Sequence, residues 1–472
     1  MTSTARSTKR GILDVTKFEA FETFQAALDG TVVTPAHPDY DSARQIVSLA
    51  YDRYPAAVVR CASTEDVARA VRFARTNRLE IAPRSGGHSV MGHSTVDDAL
   101  VIDLGGMRGI TIDPIERVAV VQAGATSDDL AGPASAYGLA LSTGDTGSVG
   151  IGGLTVGGGI GWMARKHGLT VDNLLAATVV TADGEVLRTS AEQHPDLFWA
   201  LRGGGSNFGI VTDFTFHLAQ SGMIHGGAIV LPATREVVRG YLDYAPNAPE
   251  DVTTIAFLMA APPAPFIPEE QVGQPVLLIG TTWTGPLDDF AERDAALAPF
   301  RALATPIADT VEAIPYPVMF AYTAEATKRH GASIRSMFAD ALTDEQVDAM
   351  VEGIRNATSP TSMIQLRGMG GAISRVAADA TAFPHRDVPL MVAVIGIWMD
   401  PADDGEAHRQ WTADVWAQLA PAARGAYVNF LQDDGVERLP EAYRGTIERL
   451  RAVKAQYDPE NVFRQNANIR PA

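Results

Sequence analysis

Apolar positions along the chain keep two rhythms, and the switches between them mark elements. Ala56-Ala57-Val58-Val59-Arg60-Cys61 is a short apolar run with β-branched residues, which predicts a buried strand. Behind it, Ser63-Thr64-Glu65-Asp66 supplies a capping serine and first-turn acids to a helix running through Phe73 and Ala74. Residues 79–83 predict a second short strand that delivers Arg84-Ser85-Gly86-Gly87-His88-Ser89 at its end. Leu100-Val101-Ile102-Asp103 and Val118-Ala119-Val120-Val121 continue the strand pattern, and Ser127-Asp128-Asp129-Leu130 is expected to cap another helix. Beyond a glycine-rich belt, residues 177–181 and 210–216 have the β-branched content of sheet strands. This first unit reads as mixed α+β and ends near Leu218.

The pattern changes after Ser221. Prolines and alanines thicken between Pro246 and Pro275, and strand-like runs at 275–282 and 390–398 then alternate with helices such as 343–355. Residues 222–429 are expected to form a second domain, an antiparallel sheet covered by helices. In the remainder, 430–472, residues 441–454 predict one amphipathic helix. Tyr457-Asp458-Pro459-Glu460-Asn461-Val462-Phe463 then turns the chain back onto the first domain. Two domains also suit the length, because 472 residues exceed the roughly 250–300 at which a single core stops growing.

Charge narrows the partners. With 56 acidic and 38 basic side chains the net charge is −18, which repels phosphate backbones and anionic lipid and favours a small molecule over nucleic acid or membrane. No run approaches the ~20 apolar residues of a membrane span, and residues 1–10 are polar with no apolar signal core behind them, so a cytoplasmic location is expected. One cysteine, Cys61, excludes an intrachain disulfide and a cysteine-rich metal cluster. The sequon Asn356-Ala357-Thr358 then carries little weight.

Glycine locates the site. Of 43 glycines, 24 lie between Gly86 and Gly209, and residues 144–161 alone hold nine. Such a stretch is expected to form neither buried helix nor strand, since each glycine adds entropy to lose and removes a packing side chain. What it supplies is backbone N–H groups that approach a ligand with no Cβ in the way. Leu154, Val156, Ile160 and Trp162 argue against a flexible linker. Gly159-Ile160-Gly161-Trp162-Met163-Ala164, with Asp183 beyond it, fits a dinucleotide fingerprint, but several elements lie upstream where that fingerprint needs a first strand. His88, after two glycines at a strand end, is the leading chemical candidate. His93 lies five residues on, yet no carboxylate or cysteine cluster accompanies the pair at metal-ligand spacing.

Four ordered motifs resemble the berberine bridge enzyme-like family, within the p-cresol methylhydroxylase and vanillyl-alcohol oxidase superfamily of FAD enzymes. They are residues 84–89, the belt Val149-Gly150-Ile151-Gly152-Gly153 through Gly157-Gly158-Gly159-Ile160-Gly161, the run Asp196-Leu197-Phe198-Trp199-Ala200-Leu201-Arg202-Gly203-Gly204-Gly205, and the ending from Glu448 through Tyr457-Asp458-Pro459-Glu460-Asn461 to Asn468-Ile469. The resemblance implies a two-domain α+β flavoprotein whose FAD-binding domain has its core at about 50–220. It implies FAD bound covalently through His88 to the flavin 8α carbon, with Arg84 as a nearby cation. Backbone groups of Ser85, Gly86, Gly87, Ser89, Gly150, Gly152 and Gly153 would hold the diphosphate without positive side chains. It further assigns cofactor contacts to Gly144, Thr146, Val149, Gly158, Gly159, Gly209, Val211, Asn429 and Asn468. Valine at Val149 is associated with O₂ access, and leucine there with its exclusion.

Three departures bear on chemistry. Relatives that tether the flavin twice carry cysteine where this chain has Thr146. Members with a tyrosine base carry it where Tyr427-Val428-Asn429-Phe430 ends in phenylalanine, which cannot take a proton. Others place a glutamate on the strand after an F-P-H-R turn, but here Phe383-Pro384-His385-Arg386 leads into Leu390-Met391-Val392-Ala393-Val394-Ile395. A substrate already electron-rich on binding, a neutral amine or a phenolate, needs no strong base. The apolar lining resembles the hydroxynicotine oxidase branch. Gln365, Arg367 and Met369 alternate on one strand and so share a face, which the resemblance places toward the substrate. Arg367 reads either as a binder of phenolate or carboxylate or as a solvated edge arginine, and Tyr427 is expected to point away from Phe430. Three functions follow: an FAD oxidase acting beside nitrogen or oxygen on a small metabolite and passing electrons to O₂, or to another acceptor; a flavin-binding protein without catalysis; and an NAD dehydrogenase.

Overall fold

Three sheets carry the chain in the computed structural model, which describes residues 15–432 and 437–472. The polar start at residues 1–10 lies outside them. The first sheet runs in the order Thr31–Val33, Ala57–Arg60, Leu100–Asp103, Ile81–Arg84, and its last three strands are parallel. Helix Thr64–Thr76 makes the crossover. Ser63 caps it as expected, its hydroxyl accepting from the Asp66 amide. Parallel pairing brings the C-terminal ends of three strands to one edge, where the loop 85–89 begins.

A five-stranded antiparallel sheet follows, ordered Ile110–Asp113, Val118–Gln122, Ile210–His217, Leu174–Val180, Val186–Ser190. The helix beside it, Ser127–Ser135, starts where the segment 127–130 is expected to cap one, and its capping residue is Thr126, one position earlier. Thr126 accepts from the Asp129 amide while the Asp129 carboxylate accepts from the Thr126 amide, so two orphan donors are satisfied reciprocally. Inside the glycine belt residues Ile151–Val156 form a short, largely buried helix, against expectation. Close packing explains it: a Cβ on Gly152 would stand 2.9 Å from the Ala123 carbonyl oxygen and 3.1 Å from Ser85 Cβ. Only a residue without a side chain lets this turn seat between them.

The third sheet has eight antiparallel strands and belongs to the second domain. Its backbone path is Ala308–Asp309, Met223–Pro232, Pro275–Trp283, Val252–Ala260, Met363–Gly368, Leu390–Trp398, Gly331–Ala339, with Glu312–Pro315 also on Met223–Pro232. Alternation makes it two-faced. Ile364, Leu366, Val392 and Val394 pack with Val347, Met350, Trp411 and Val415 from the helices Asp344–Arg355 and Glu406–Leu419. The residues between them, Met363, Gln365, Arg367, Ile395 and Ile397, face the first domain across a cavity.

Buried arginines hold the domains together. Arg386 makes a bidentate pair with Asp172 at 2.8 and 2.7 Å. Arg165 donates to the carbonyl oxygens of Val252 at 2.9 Å and Pro246 at 2.8 Å, and to those of Ala248 and Met369. The single helix expected over 441–454 is two, Leu439–Ala442 and Ile447–Tyr457, because Gly445 between them adopts φ +75°. Fully buried Lys454 donates to Asp458 at 2.6 Å, to the Asn207 carbonyl at 2.6 Å and to that of Phe463 at 2.8 Å, tying the turn to the first domain. Among the described residues no helix is long and apolar enough to cross a membrane.

Burial also sets a pH dependence. It holds His93 and His167 down at about 4 and His385 at about 3, against 6.5 for an exposed imidazole. The folded values lie below the unfolded one, so the unfolded chain binds more protons in between. Stability from these groups is therefore full above about 6.5 and is lost as pH falls toward 3–4. Urea midpoints are expected to drop between pH 7.5 and pH 5.5, roughly the upper part of that window, and less so in His385→Gln. A midpoint that does not move over this interval contradicts the assignment.

Candidate active site

A cavity of about 1280 Å³ lies between the loops of the first domain and the bare face of the third sheet. Pockets for drug-sized ligands measure about 300–1,000 Å³, so this larger cavity has room for a dinucleotide with a second molecule. The first-domain wall comprises Arg84, Ser85, Gly86, Gly87, His88 and Ser89, then Gly144, Thr146, Val149, Gly150, Gly152 and Gly153, with Gly209 and Val211. On the second-domain wall are Phe257, Met259, Leu278, Ile334, Met363 and Ile395, interrupted by Gln365 and Arg367. Tyr427, Asn429 and Phe430 also line it. Cross-strand register brings these side chains together: Phe257 opposes both Leu278 and Gln365, and Met363 opposes both Met259 and Ile395.

His88 stands at the turn after the strand Ile81–Arg84, with Gly87 at φ +71° making the bend. Its Nε2 lies 3.0 Å from Ser148 Oγ. Burial, helped by nearby His330 and opposed by Asp145, lowers its pKa to about 4. The ring is therefore neutral at pH 7 and keeps a lone pair for nucleophilic or hydrogen-bonding use.

Arg84 is already engaged, paired to Asp103 at 2.7 Å and buried. Arg367 is not a solvated edge arginine; it sits on an interior strand and is 3% exposed. Nor is its charge unspent, since it donates to Asp145 at 2.6 Å, to the Ile160 carbonyl at 2.6 Å and to Gln365 Oε1 at 2.8 and 3.1 Å. Gln365 completes a triangle by donating to Asp145 at 3.1 Å. Tyr427 and Phe430 do not point apart: both line the cavity, with ring centroids 5.2 Å apart, because the segment Val428–Phe430 coils as one 3₁₀ turn. The Tyr427 hydroxyl accepts from the Gly159 amide at 3.3 Å and from Asn429 at 3.1 Å, and burial raises its pKa.

Four expected neighbours are absent from the cavity wall. Met369 falls past the strand end at Gly368 and packs with Ile160, Phe383 and Val388, while Met363 takes the cavity position. Gly158 and Gly159 stand behind the wall, where a Cβ would meet Phe383 and Thr170 respectively. Asn468 is replaced by Asn466 and Ala467. The fingerprint 159–164 precedes only the four-residue helix Ala164–His167 and follows no strand, so its Rossmann context is missing. Asp145, Ser148, His330 and Asn466 went unread in the sequence. Asp145 had a signal, being the one charged residue in 144–161.

The residues present fit an extended dinucleotide. A Cβ on Gly150 would stand 2.3 Å from the Gly86 amide nitrogen and 2.2 Å from Ser85 Oγ, so two backbone loops touch along the wall. Gly153 faces the void, with nothing within 4 Å of its notional Cβ. Asn466 donates to the Ser206 and Phe463 carbonyls, but its buried Oδ1 has no partner among the described residues and can accept from a ligand.

Comparison with known proteins agrees with this arrangement. An FAD binding domain pattern matches residues 55–190, and a berberine and berberine-like pattern matches residues 426–470. The FAD-linked oxidoreductase YgaK of Bacillus subtilis is 32% identical over 460 residues, covering 94% of this chain and 97% of the relative. (R)-6-hydroxynicotine oxidase of Paenarthrobacter nicotinovorans is 32% identical over 470 residues, with the same coverages of 94% and 97%. The crystal structure of 6-hydroxy-D-nicotine oxidase from Arthrobacter nicotinovorans superposes with a TM-score of 0.84 at 30% identity, over 94% of this chain and 98% of that one. Fold and site together define a two-domain flavoprotein with FAD as cofactor. The chain belongs to the berberine bridge enzyme-like family of FAD-linked oxidoreductases.

Proposed function

We propose that the protein is an FAD-dependent oxidase that removes a hydride from a C–H bond next to nitrogen or oxygen of a small metabolite, an amine, phenol or alcohol, with O₂ as acceptor and H₂O₂ as product. In this reading residues 1–218 hold the cofactor, 222–429 shape the substrate wall and 430–472 return to the first domain. The observation that carries it is the meeting, in one cavity, of neutral His88 and the glycine belt with an apolar sheet face. When bound, FAD supplies two-electron chemistry, taking hydride equivalents from substrate and yielding them to O₂. His88 would hold it covalently through the flavin 8α carbon, and the backbone of 85–89 and 150–153 would hold the diphosphate.

The chain's own residues orient and exclude water. Phe257, Leu278, Met363 and Ile395 present an apolar wall that desolvates the substrate's reacting carbon. No carboxylate replaces the family glutamate on Leu390–Trp398, since that strand presents Ile395 and Ile397. The Tyr427 hydroxyl spends its acceptor capacity on Gly159 and Asn429 and so is a donor toward the cavity. Positioning of an electron-rich substrate thus carries much of the rate. Peroxide formation across a panel of cyclic amines, phenols and sugars tests the reading. Flavin that no panel member reduces supports loss of catalysis instead.

Val149 follows Ser148, the partner of His88, and lines the cavity. One added methylene in a packed wall fills a pocket the size of O₂. Val149→Leu is expected to slow reoxidation in air by about tenfold or more, while reduction by substrate changes by less than about threefold. Stopped-flow mixing of anaerobically reduced protein with aerated buffer measures the first half separately. Slow reoxidation of the wild type would make the protein a dehydrogenase with another acceptor.

A further inference from the structure

We infer that Asp145 is a specificity-determining residue: by holding Arg367 it closes this part of the cavity to anions and leaves a site for neutral ligands. The inference rests on the cavity being the substrate site, as proposed above.

The argument is a donor count. A guanidinium has five N–H donors. Nε–H is used on Gln365, one N–H of Nη1 on Ile160, and the two of Nη2 on Asp145 and Gln365, so one N–H of Nη1 remains. The Asp145 carboxylate accepts from Arg367, from Gln365 and, at 3.3 Å, from Thr146 Oγ1. Arg367 is 4% exposed and Asp145 18% exposed as side chains, so solvent screens the pair weakly.

The other charges of the cavity do not undo this balance. Arg84 is spent on Asp103, and Glu325, on the segment by His330, pairs with Lys328 at 2.8 Å. His88 is neutral at pH 7. A phenolate or carboxylate ligand finds a single unused N–H on Arg367, beside the Asp145 carboxylate that already balances its charge, and a bidentate grip would require displacing Asp145 at 2.6 Å. A neutral ligand displaces nothing. Of the two electron-rich substrates that need no base, the lock disfavours the phenolate and admits the uncharged amine.

The lock has a second property. Its halves sit in different domains, Asp145 on the glycine belt and Arg367 on the strand Met363–Gly368, so it exists only when the two walls are docked. The same contact thus shapes the site and sets its charge.

The test is binding by the flavin-loaded protein, read by calorimetry and by perturbation of the visible spectrum, with benzoate, benzamide and benzamidine as probes. The wild type is expected to bind benzamide at least about tenfold tighter than benzoate. Asp145→Asn frees Arg367 and is expected to bind benzoate at least about tenfold tighter than the wild type does. Arg367→Gln bares the carboxylate and is expected to gain at least about tenfold for benzamidine instead. The double variant loses both gains. These shifts do not depend on turnover, so they stand or fall apart from peroxide formation. Benzoate binding unchanged within about twofold in Asp145→Asn, or benzamidine binding unchanged in Arg367→Gln should the first variant not fold, overturns the inference.

Discussion

Replacing His88 by alanine is expected to abolish covalent flavin. In the wild type, flavin should stay with the acid-precipitated pellet, and the band on a denaturing gel should fluoresce yellow-green. In His88→Ala all flavin should appear in the supernatant, and the peptide spanning position 88 should lack the mass of FAD that the wild-type peptide carries. The cause is the nucleophile. An imidazole held at about 4 by burial is unprotonated at neutral pH, and Ser148 Oγ at 3.0 Å sets its ring orientation. The flavin potential should also become more negative, because an 8α substituent withdraws electrons. Cys61→Ser is the control: burial raises the pKa of that thiol well above its ordinary value, it lies in the first domain's core, and Thr146 offers no second thiol. Loss of covalent flavin in Cys61→Ser, or wild-type flavin found wholly in the supernatant, would sink the attachment through His88 alone.

Asp172→Ala is expected to cost about 3–5 kcal/mol of stability, the range for removing one partner of a buried pair. Arg386 is 3% exposed and points two nitrogens at the Asp172 carboxylate, so its charge would be left with Thr381 Oγ1 at 2.7 Å and the Phe383 ring at 5.1 Å. Asp172 also accepts from the Leu169 amide at 2.8 Å, holding the turn that follows the glycine belt. The loss should therefore appear both as a lower unfolding midpoint in urea and as a lower flavin content per chain. Asp172→Leu combined with Arg386→Met should recover much of the stability, since apolar replacement removes the desolvation penalty along with the attraction. A single variant as stable as the wild type would mean that solvent reaches Arg386 and that the pair does not clamp the domains.

How much of this was legible in the chain depends on how far apart the interacting residues lie. The turn at His88 and the strand before it were readable, because glycine, capping residues and β-branched runs act on their immediate neighbours. The alternation of Gln365 and Arg367 on the third sheet was readable too, since period 2 follows from the backbone itself. Errors began where a local rule met a packing constraint. The belt's buried helix exists because Ala123 and Ser85 close upon Gly152, and the C-terminal helix breaks because Gly445 takes a left-handed φ.

The amino-acid sequence by itself determined the two-domain plan, the FAD-binding family, the candidate His88, and the identity of Phe430 and of the acid-free run 390–395 where the resemblance looks for bases, all of which are local motifs or residue identities. Only the tertiary structure decided what charge the site presents. Arg367 meets Asp145 across 222 residues, and that contact depends on strand register and domain docking rather than on any spacing in the chain. The same holds for Tyr427 beside Phe430 and for Met363 in place of Met369, whose directions follow from where the strand ends and the turn coils. Side-chain identity limits which partners are possible; burial and register choose among them, because an unpaired charge in a dry cavity is too costly to leave.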